Sequence, residues 1–370
     1  MKKIKEISKY IIIIAIIAAL LYFATKLLEP KYMTNIKEGA MTAEYYLNAG
    51  DNQVIFLGDC EVYENFSPVT LWEEYGITSY IRGNANQLIW QSYYLLEETL
   101  KYETPRVVIY NVQAMRYSEP VRESYNRMAL DGMKLSPIKL KAIKDSMMED
   151  ENMITYIFTI LRYHSRWMEL SGEDLKYWLK RDRVTNNGYL MKTGIMPVQG
   201  LDDYYNNNHN KELTYDELYN IGFIKPAPYN TTMAFTENVY EYLNKMLKLC
   251  KDNNIEFVLI KSPSIYPYWY EQWDKEIKEY AQKNDICYIN MLECFKDIKI
   301  DYRTDTYDGG LHLNLYGAEK ASVWIGKYLK EKFNLDDLRN NTSISDRWQE
   351  KIKIYYNMII NQVKEQKEQD

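Results

Sequence analysis

Histidine is scarce in this 370-residue chain: His164, His209 and His312 lie far apart, a scatter that argues against a protein-built metal site. Cysteine is scarce as well. Cys60, Cys250, Cys287 and Cys294 are too few for a disulfide scaffold and match no zinc-binding spacing, although one pair among the last three fits their number. No lysine or arginine block interrupts the body of the chain and the net charge is -6, so there is no broad basic surface to neutralise phosphates, and nucleic acid is not an expected partner. Internal repeats are absent too. What is present, 46% hydrophobic and 26% charged residues, describes a folded chain long enough to bury one large core or two modest ones.

The N-terminus departs from that average. Lys2, Lys3, Lys5 and Lys9 precede an apolar run over residues 10–24, which Leu27 and Leu28 extend past Lys26. About 20 apolar residues cross a bilayer, so the run reaches span length when Lys26 snorkels to the interface. The basic flank predicts a cytoplasmic N-terminus and a body outside the cytoplasm. A cleaved signal peptide shares the basic head and apolar run, but no clear A-x-A site follows. Residues 1–29 are therefore expected to form a cytoplasmic tail and a single-pass anchor, with residues 10–28 in the cell membrane.

Compact apolar runs at residues 53–57, 79–82, 106–112, 256–260 and 286–290 read as buried strands. Stretches of helical periodicity, including 87–102, 239–251 and 273–283, separate them. Strands alternating with helices predict a three-layer α/β/α domain over residues 30–335 with a mainly parallel sheet, binding ligands beyond the strands' C-terminal ends. A Tyr-, Trp-, Asn- and Met-rich insertion at about 115–236 has helical character around 137–150 and 154–170 and reads as a cap or subdomain. Its segment 186–210, with Asn206, Asn207 and Asn208, reads as a long exposed loop. Residues 336–370 end in an amphipathic helix and charged tail that pack on the domain or on a partner.

Two motifs carry chemistry. Gly58-Asp59-Cys60 directly follows the first strand, which places the cysteine at the C-terminal edge of the sheet. Asp308-Gly309-Gly310-Leu311-His312-Leu313-Asn314 precedes a late helix, and a histidine at such a junction with an acidic neighbour is a candidate general base. Arg82 and Lys261 stand at strand ends, where they would bring positive charge to a cleft. Tyr266, Tyr268, Trp269 and Tyr270 follow the fourth strand and offer surfaces on which a sugar would stack. By contrast, His164 reads as a structural residue of a helix and His209 as a solvated loop residue.

These motifs resemble the SGNH, or GDSL-type, hydrolase superfamily, with a serine in G-D-S after the first strand and a D-x-x-H near the C-terminus. The resemblance spans about residues 53–332. The phrase H-L-N-x-x-G-A-x-K, here His312 to Lys320, is similar to the envelope-associated branch that includes exopolysaccharide acetylation and D-alanylation proteins. It implies a flavodoxin-like sheet, Cys60 as nucleophile, His312 as base, and Gly83 and Asn111 as oxyanion donors beside the Cys60 amide.

Three departures stand out. Cys60 replaces serine, so an acyl intermediate would be a thioester. The family's acid position falls on Gly309, leaving Asp308 or Asp305 to orient His312, with Asp308 preferred. Ile109 and Val112 stand where that family carries a glycine and an aspartate around Asn111. The implied activity is an acyl-ester hydrolase or O-acyltransferase acting on an acylated envelope polysaccharide, with no cofactor and no metal. The other class is a silent SGNH-like domain that binds a glycan or assists a membrane-embedded acyltransferase. A redox or acyl-carrier role for Cys60 would rest on cysteine chemistry alone.

Overall fold

The continuously apolar runs form the strands. The computed structural model describes residues 2–30, 41–172, 174–176, 184–201, 214, 216–217, 225 and 234–369. Its sheet comprises β1 (Val54–Gly58), β2 (Ser79–Gly83), β3 (Val107–Asn111), β4 (Glu256–Lys261) and β5 (Cys287–Asn290). They are ordered β2-β1-β3-β4-β5 and every pairing is parallel. Val54, Ile55, Phe56 and Leu57 are fully buried. Burying a side chain of this kind contributes about 1.5–3 kcal/mol, which requires that both faces of the sheet be covered.

The helices supply that cover. In chain order they are α1 (Lys2–Leu28), α2 (Cys60–Asn65), α3 (Pro68–Tyr75), α4 (Ile89–Thr99), α5 (Glu123–Leu130), α6 (Pro137–Ser146), α7 (Met153–Ile157), α8 (Ile160–Tyr163), α9 (Glu237–Asp252), α10 (Glu271–Asn284), α11 (Phe295–Ile298), α12 (Leu315–Phe333) and α13 (Thr342–Gln369). α4 packs on β1, α6 and α9, while α12 packs on α2, α3 and α11, so the sheet lies between helical layers in an α/β arrangement. α13 lies on the domain: Trp348 stacks on Trp72 with ring centroids 5.1 Å apart, and the Tyr355 hydroxyl donates to Glu319 at 2.8 Å. α1 is the one described helix long and apolar enough to cross a membrane, with mean hydropathy 2.6 over Glu6–Leu28.

The insertion differs from its sequence reading. The helical character expected over 154–170 is divided among short elements: α7 and α8 are separated at Phe158, whose backbone is non-helical, and a 3-10 turn, His164–Met168, follows. Thr159 at the break donates its hydroxyl to Glu29 at 2.5 Å, a contact no local pattern announces. Residues 186–201 are not an exposed loop either. Tyr189, Met191, Val198 and Leu201 are buried, and backbone bonds from Leu190 to Tyr63, Val198 to Tyr302 and Met196 to Thr306 fix the segment to α2 and to the loop before His312, with Ile195 and Met196 left exposed. The Asn206 to Asn208 run and His209 lie outside the described residues. Cys250, Cys287 and Cys294 are all free, so the pair their number allowed does not form. His164 is exposed, its Nδ1 3.1 Å from the Leu161 carbonyl.

Candidate active site

β1 hands directly over to α2, and two glycines make this possible. Gly58 has a φ of +150°, and a methyl group there would lie 3.0 Å from Asn111 Cβ. Gly83 stands opposite it in register, where a methyl group would come within 2.5 Å of Val62 Cγ2 and 3.0 Å of the Asp59 carbonyl. Asp59 caps α2, accepting from Glu61 N at 3.2 Å, and Cys60 becomes the first helical residue, half-buried at the C-terminal edge of the sheet. β1 lies between β2 and β3, where the strand order reverses and open α/β sheets bind their ligands.

The second motif arrives from the other end of the chain. Gly309 and Gly310 adopt φ of +76° and +100°, turning the chain so that Asp308 meets the residue four positions on. Asp308 Oδ1 accepts from the His312 backbone N–H at 2.9 Å, and Oδ2 lies 2.6 Å from His312 Nδ1. Nδ1 is thereby engaged, and the ring lies near enough to the Cys60 thiol for the charge of each to act on the other. Of the two candidate aspartates, Asp308 reaches the ring. Asp305 instead accepts from Lys320 Nζ at 2.6 Å and from the Asp301 amide.

Glu64 is the residue that sequence reading passed over. It lies one turn beyond Cys60 on α2, and its Oε2 stands 3.1 Å from His312 Nδ1 while accepting from the Tyr307 hydroxyl at 2.6 Å. The spacing Cys60 to Glu64 would have pointed to it. Tyr307 itself lies over the imidazole, with centroids 6.1 Å apart. Asn65 ties the two motifs together, donating to Ser262 and Ser264 and accepting from the Leu313 amide at 2.8 Å.

Beneath the thiol lies a sealed ionic cluster. Lys261 and Glu61, with side chains 0% and 1% exposed, pair at 3.1 Å. Glu61 also accepts from Asn111 Nδ2 at 2.9 Å and Ser262 Oγ at 2.5 Å. Asn111 Nδ2 reaches Asp59 at 3.4 Å as well, so its amide hydrogens are directed into this cluster and not toward the thiol. Lys261 thus supports the floor of the site and brings no charge to a cleft. Arg82 is likewise buried, paired with Glu98 at 2.7 Å and lying over the Tyr45 ring. Trp269 is fully buried and donates to Asp274, which leaves Tyr266, Tyr268 and Tyr270 as the aromatics at that strand end with exposed surface.

The charges around Cys60 are mostly carboxylates. Burial and the charge of Asp59 push the Cys60 thiol up to about 11, against the pull of His312. Asp59 is itself pushed up to about 6 by burial and Glu61, and its Oδ2 is buried without a hydrogen-bond partner. Burial alone would lower the pKa of His312, but a Cys60 thiolate, the charge of Glu64 and the hydrogen bond to Asp308 each act to raise it above the ordinary imidazole value. Both shifts point toward the protonated forms, and part of the rise at His312 depends on charge at Cys60, so the two groups titrate against each other.

Glu64, Asp308 and His312 offer three ligand atoms within 4.8 Å of one another, a set capable of holding a divalent cation. A cation there would take Nδ1 from Asp308 and the Glu64 oxygen from Tyr307, so it would compete with the hydrogen bonds that orient the ring.

No family profile and no curated protein matches the chain. Among solved structures it is similar to a presumptive acylhydrolase from Bacteroides fragilis NCTC 9343, at 12% identity and a TM-score of 0.35, over 80% of this chain and 95% of that one. It is also similar to a GDSL-like lipase from Bacteroides thetaiotaomicron VPI-5482, at 12% identity and a TM-score of 0.34, over 78% and 95%. At such values the likeness carries no weight for the chemistry of the site.

Proposed function

We propose that the chain is an SGNH-like acyl-ester hydrolase or O-acyltransferase held outside the cytoplasm by α1 and acting on an acylated glycan of the cell envelope. The observation that carries this reading is the His312–Asp308 pair brought against the helix that Cys60 opens, with His312 Nδ1 3.1 Å from Glu64 of that helix, at the C-terminal edge of a parallel sheet and from motifs more than 240 residues apart in the order the resemblance implies. Cys60 attacks the acyl carbonyl, His312 takes the thiol proton and returns it to the departing alcohol, and Asp308 holds the ring. The amides of Cys60 and Gly83 serve the oxyanion. Asn111, with its donors turned into the Glu61 cluster, is assigned to holding α2 in place. Water as acceptor gives an esterase, and a sugar hydroxyl a transferase.

A second reading is favoured by one observation, the carboxylates that disfavour the thiolate: a silent domain that binds a glycan or assists a membrane-embedded acyltransferase. Hydrolysis of p-nitrophenyl acetate by the full chain in detergent, compared with Cys60→Ala and His312→Ala, decides between them. Activity lost in both variants supports the enzyme. No activity in the wild type, or equal rates in all three, supports the silent domain.

A further inference from the structure

The outer end of α1 is clasped by the insertion. Its side chains are exposed from Glu6 to Phe23 and become covered from Ala24 onward, with Leu28 and Glu29 buried. The cover comes from α8 and the 3-10 turn that follows it. Arg166 Nη1 donates to the Leu28 carbonyl at 2.5 Å, and Thr159 donates to Glu29.

These clasping elements, with the adjoining α7, leave large apolar side chains uncovered: Ile154 at 47%, Phe158 at 56%, Leu161 at 52%, Trp167 at 67% and Met168 at 70% exposure. Single exposed apolar residues are ordinary, but a run of them on elements fastened to the end of an apolar helix is a surface that expects a partner. Geometry selects that partner. At about 1.5 Å per residue, the stretch from Tyr10 to Leu28 measures about 28 Å, close to the ~30 Å hydrocarbon layer. The bilayer surface then falls near Leu28, about 6 Å beyond Ala24 where the covering begins, so elements fastened over that turn lie at the depth of the headgroups and upper acyl chains.

We propose that residues 153–168 form a second, interfacial membrane contact, which places Phe158, Leu161, Trp167 and Met168 among the headgroups and upper acyl chains of the bilayer that α1 crosses. Tryptophan and large aliphatic side chains on short amphipathic elements suit that layer. The inference rests on α1 being retained as an anchor. Its consequence is that the domain stands on the membrane in one attitude and does not swing on a tether.

The test uses the full chain reconstituted in phosphatidylcholine and phosphatidylglycerol vesicles with acyl chains brominated near the headgroup. The apolar helix contains no tryptophan. Tryptophan quenching by brominated over unbrominated lipid is compared between wild type and Trp167→Phe, which keeps an apolar side chain. In parallel, retention through alkaline carbonate and the intact mass report whether residues 1–29 remain. A quenched component present in wild type and lost in Trp167→Phe, with the anchor retained, supports the contact. Equal quenching in the two proteins with the anchor retained overturns the contact alone. Release by carbonate, or loss of residues 1–29, overturns the anchor reading and the contact with it.

Discussion

Glu61 and Glu64 belong to the same short helix, and their surroundings differ in kind. Glu61 is met by Lys261, Asn111 and Ser262, all buried, so every partner it has is a fixed donor sealed from solvent. Glu64 is met by Tyr307 and by His312, whose ring reaches the surface of the site with 15% exposure. A carboxylate enclosed by fixed donors sets a shape. A carboxylate facing an imidazole helps decide where a proton resides. The helix therefore presents a structural carboxylate below the thiol and a titrating one beside it, and a variant at each position should report a different property.

The largest expected effect is that of Asp308→Asn, which leaves the loop geometry and removes the charge behind Nδ1. The rate on p-nitrophenyl acetate should fall by about 10²- to 10⁴-fold, the span typical of general acid–base catalysis. A fall below tenfold would move the orienting role to Glu64. Next comes Lys261→Met, which strands Glu61 without its cation and should cost about 3–5 kcal/mol in urea unfolding. The double variant Lys261→Met with Glu61→Leu should regain most of that loss, whereas an unaltered single variant would show that the cluster does not hold the floor of the site.

A smaller effect concerns pH. Since Cys60 is pushed up to about 11 and His312 is also raised, the reactive forms accumulate only as pH increases, and the wild-type rate should climb through the alkaline range. Glu64→Gln removes one carboxylate from the imidazolium, so the climb should begin at lower pH with stability little altered. An unshifted profile would place Glu64 with Glu61 as a structural group. The smallest effect is expected from chelation: EDTA should leave the rate unchanged, and activity lost to EDTA and restored by zinc would instead assign Glu64, Asp308 and His312 to a metal.

The sheet was legible in the sequence because strands buried on both faces read as unbroken apolar runs, as Val54 to Leu57 do. Cys60 and His312 were legible because each follows glycines or a strand end that fixes its place. Arg82 and Lys261 were misplaced for the opposite reason. Each stands at a strand end, but the partner that draws it inward, Glu98 or Glu61, lies on a helix whose packing no local pattern reveals. The same holds for the insertion, where Arg127 binds Glu123 and Asp131 at the two ends of α5 and Thr155 in α7, and the order of these short helices follows from such contacts rather than from periodicity. Tyr307 and Glu64 are 243 positions apart, beyond any spacing rule.

The last helix, α13, has a consequence in time. Its Gln362 donates to the Met191 carbonyl and accepts from the Thr193 amide, and its Lys351 carbonyl accepts from Asn186. The segment it fastens in turn bonds Tyr63 in α2 and, through Lys192, the Leu315 amide at the start of α12. A ribosome making this chain releases the fastener after every part it fastens. Chains that stop short of α13 should hold the sheet and the Asn65 contact with Leu313, yet leave the segment around Met191 and Thr193 without its fastener, which a sharp loss of protease resistance in that segment would report.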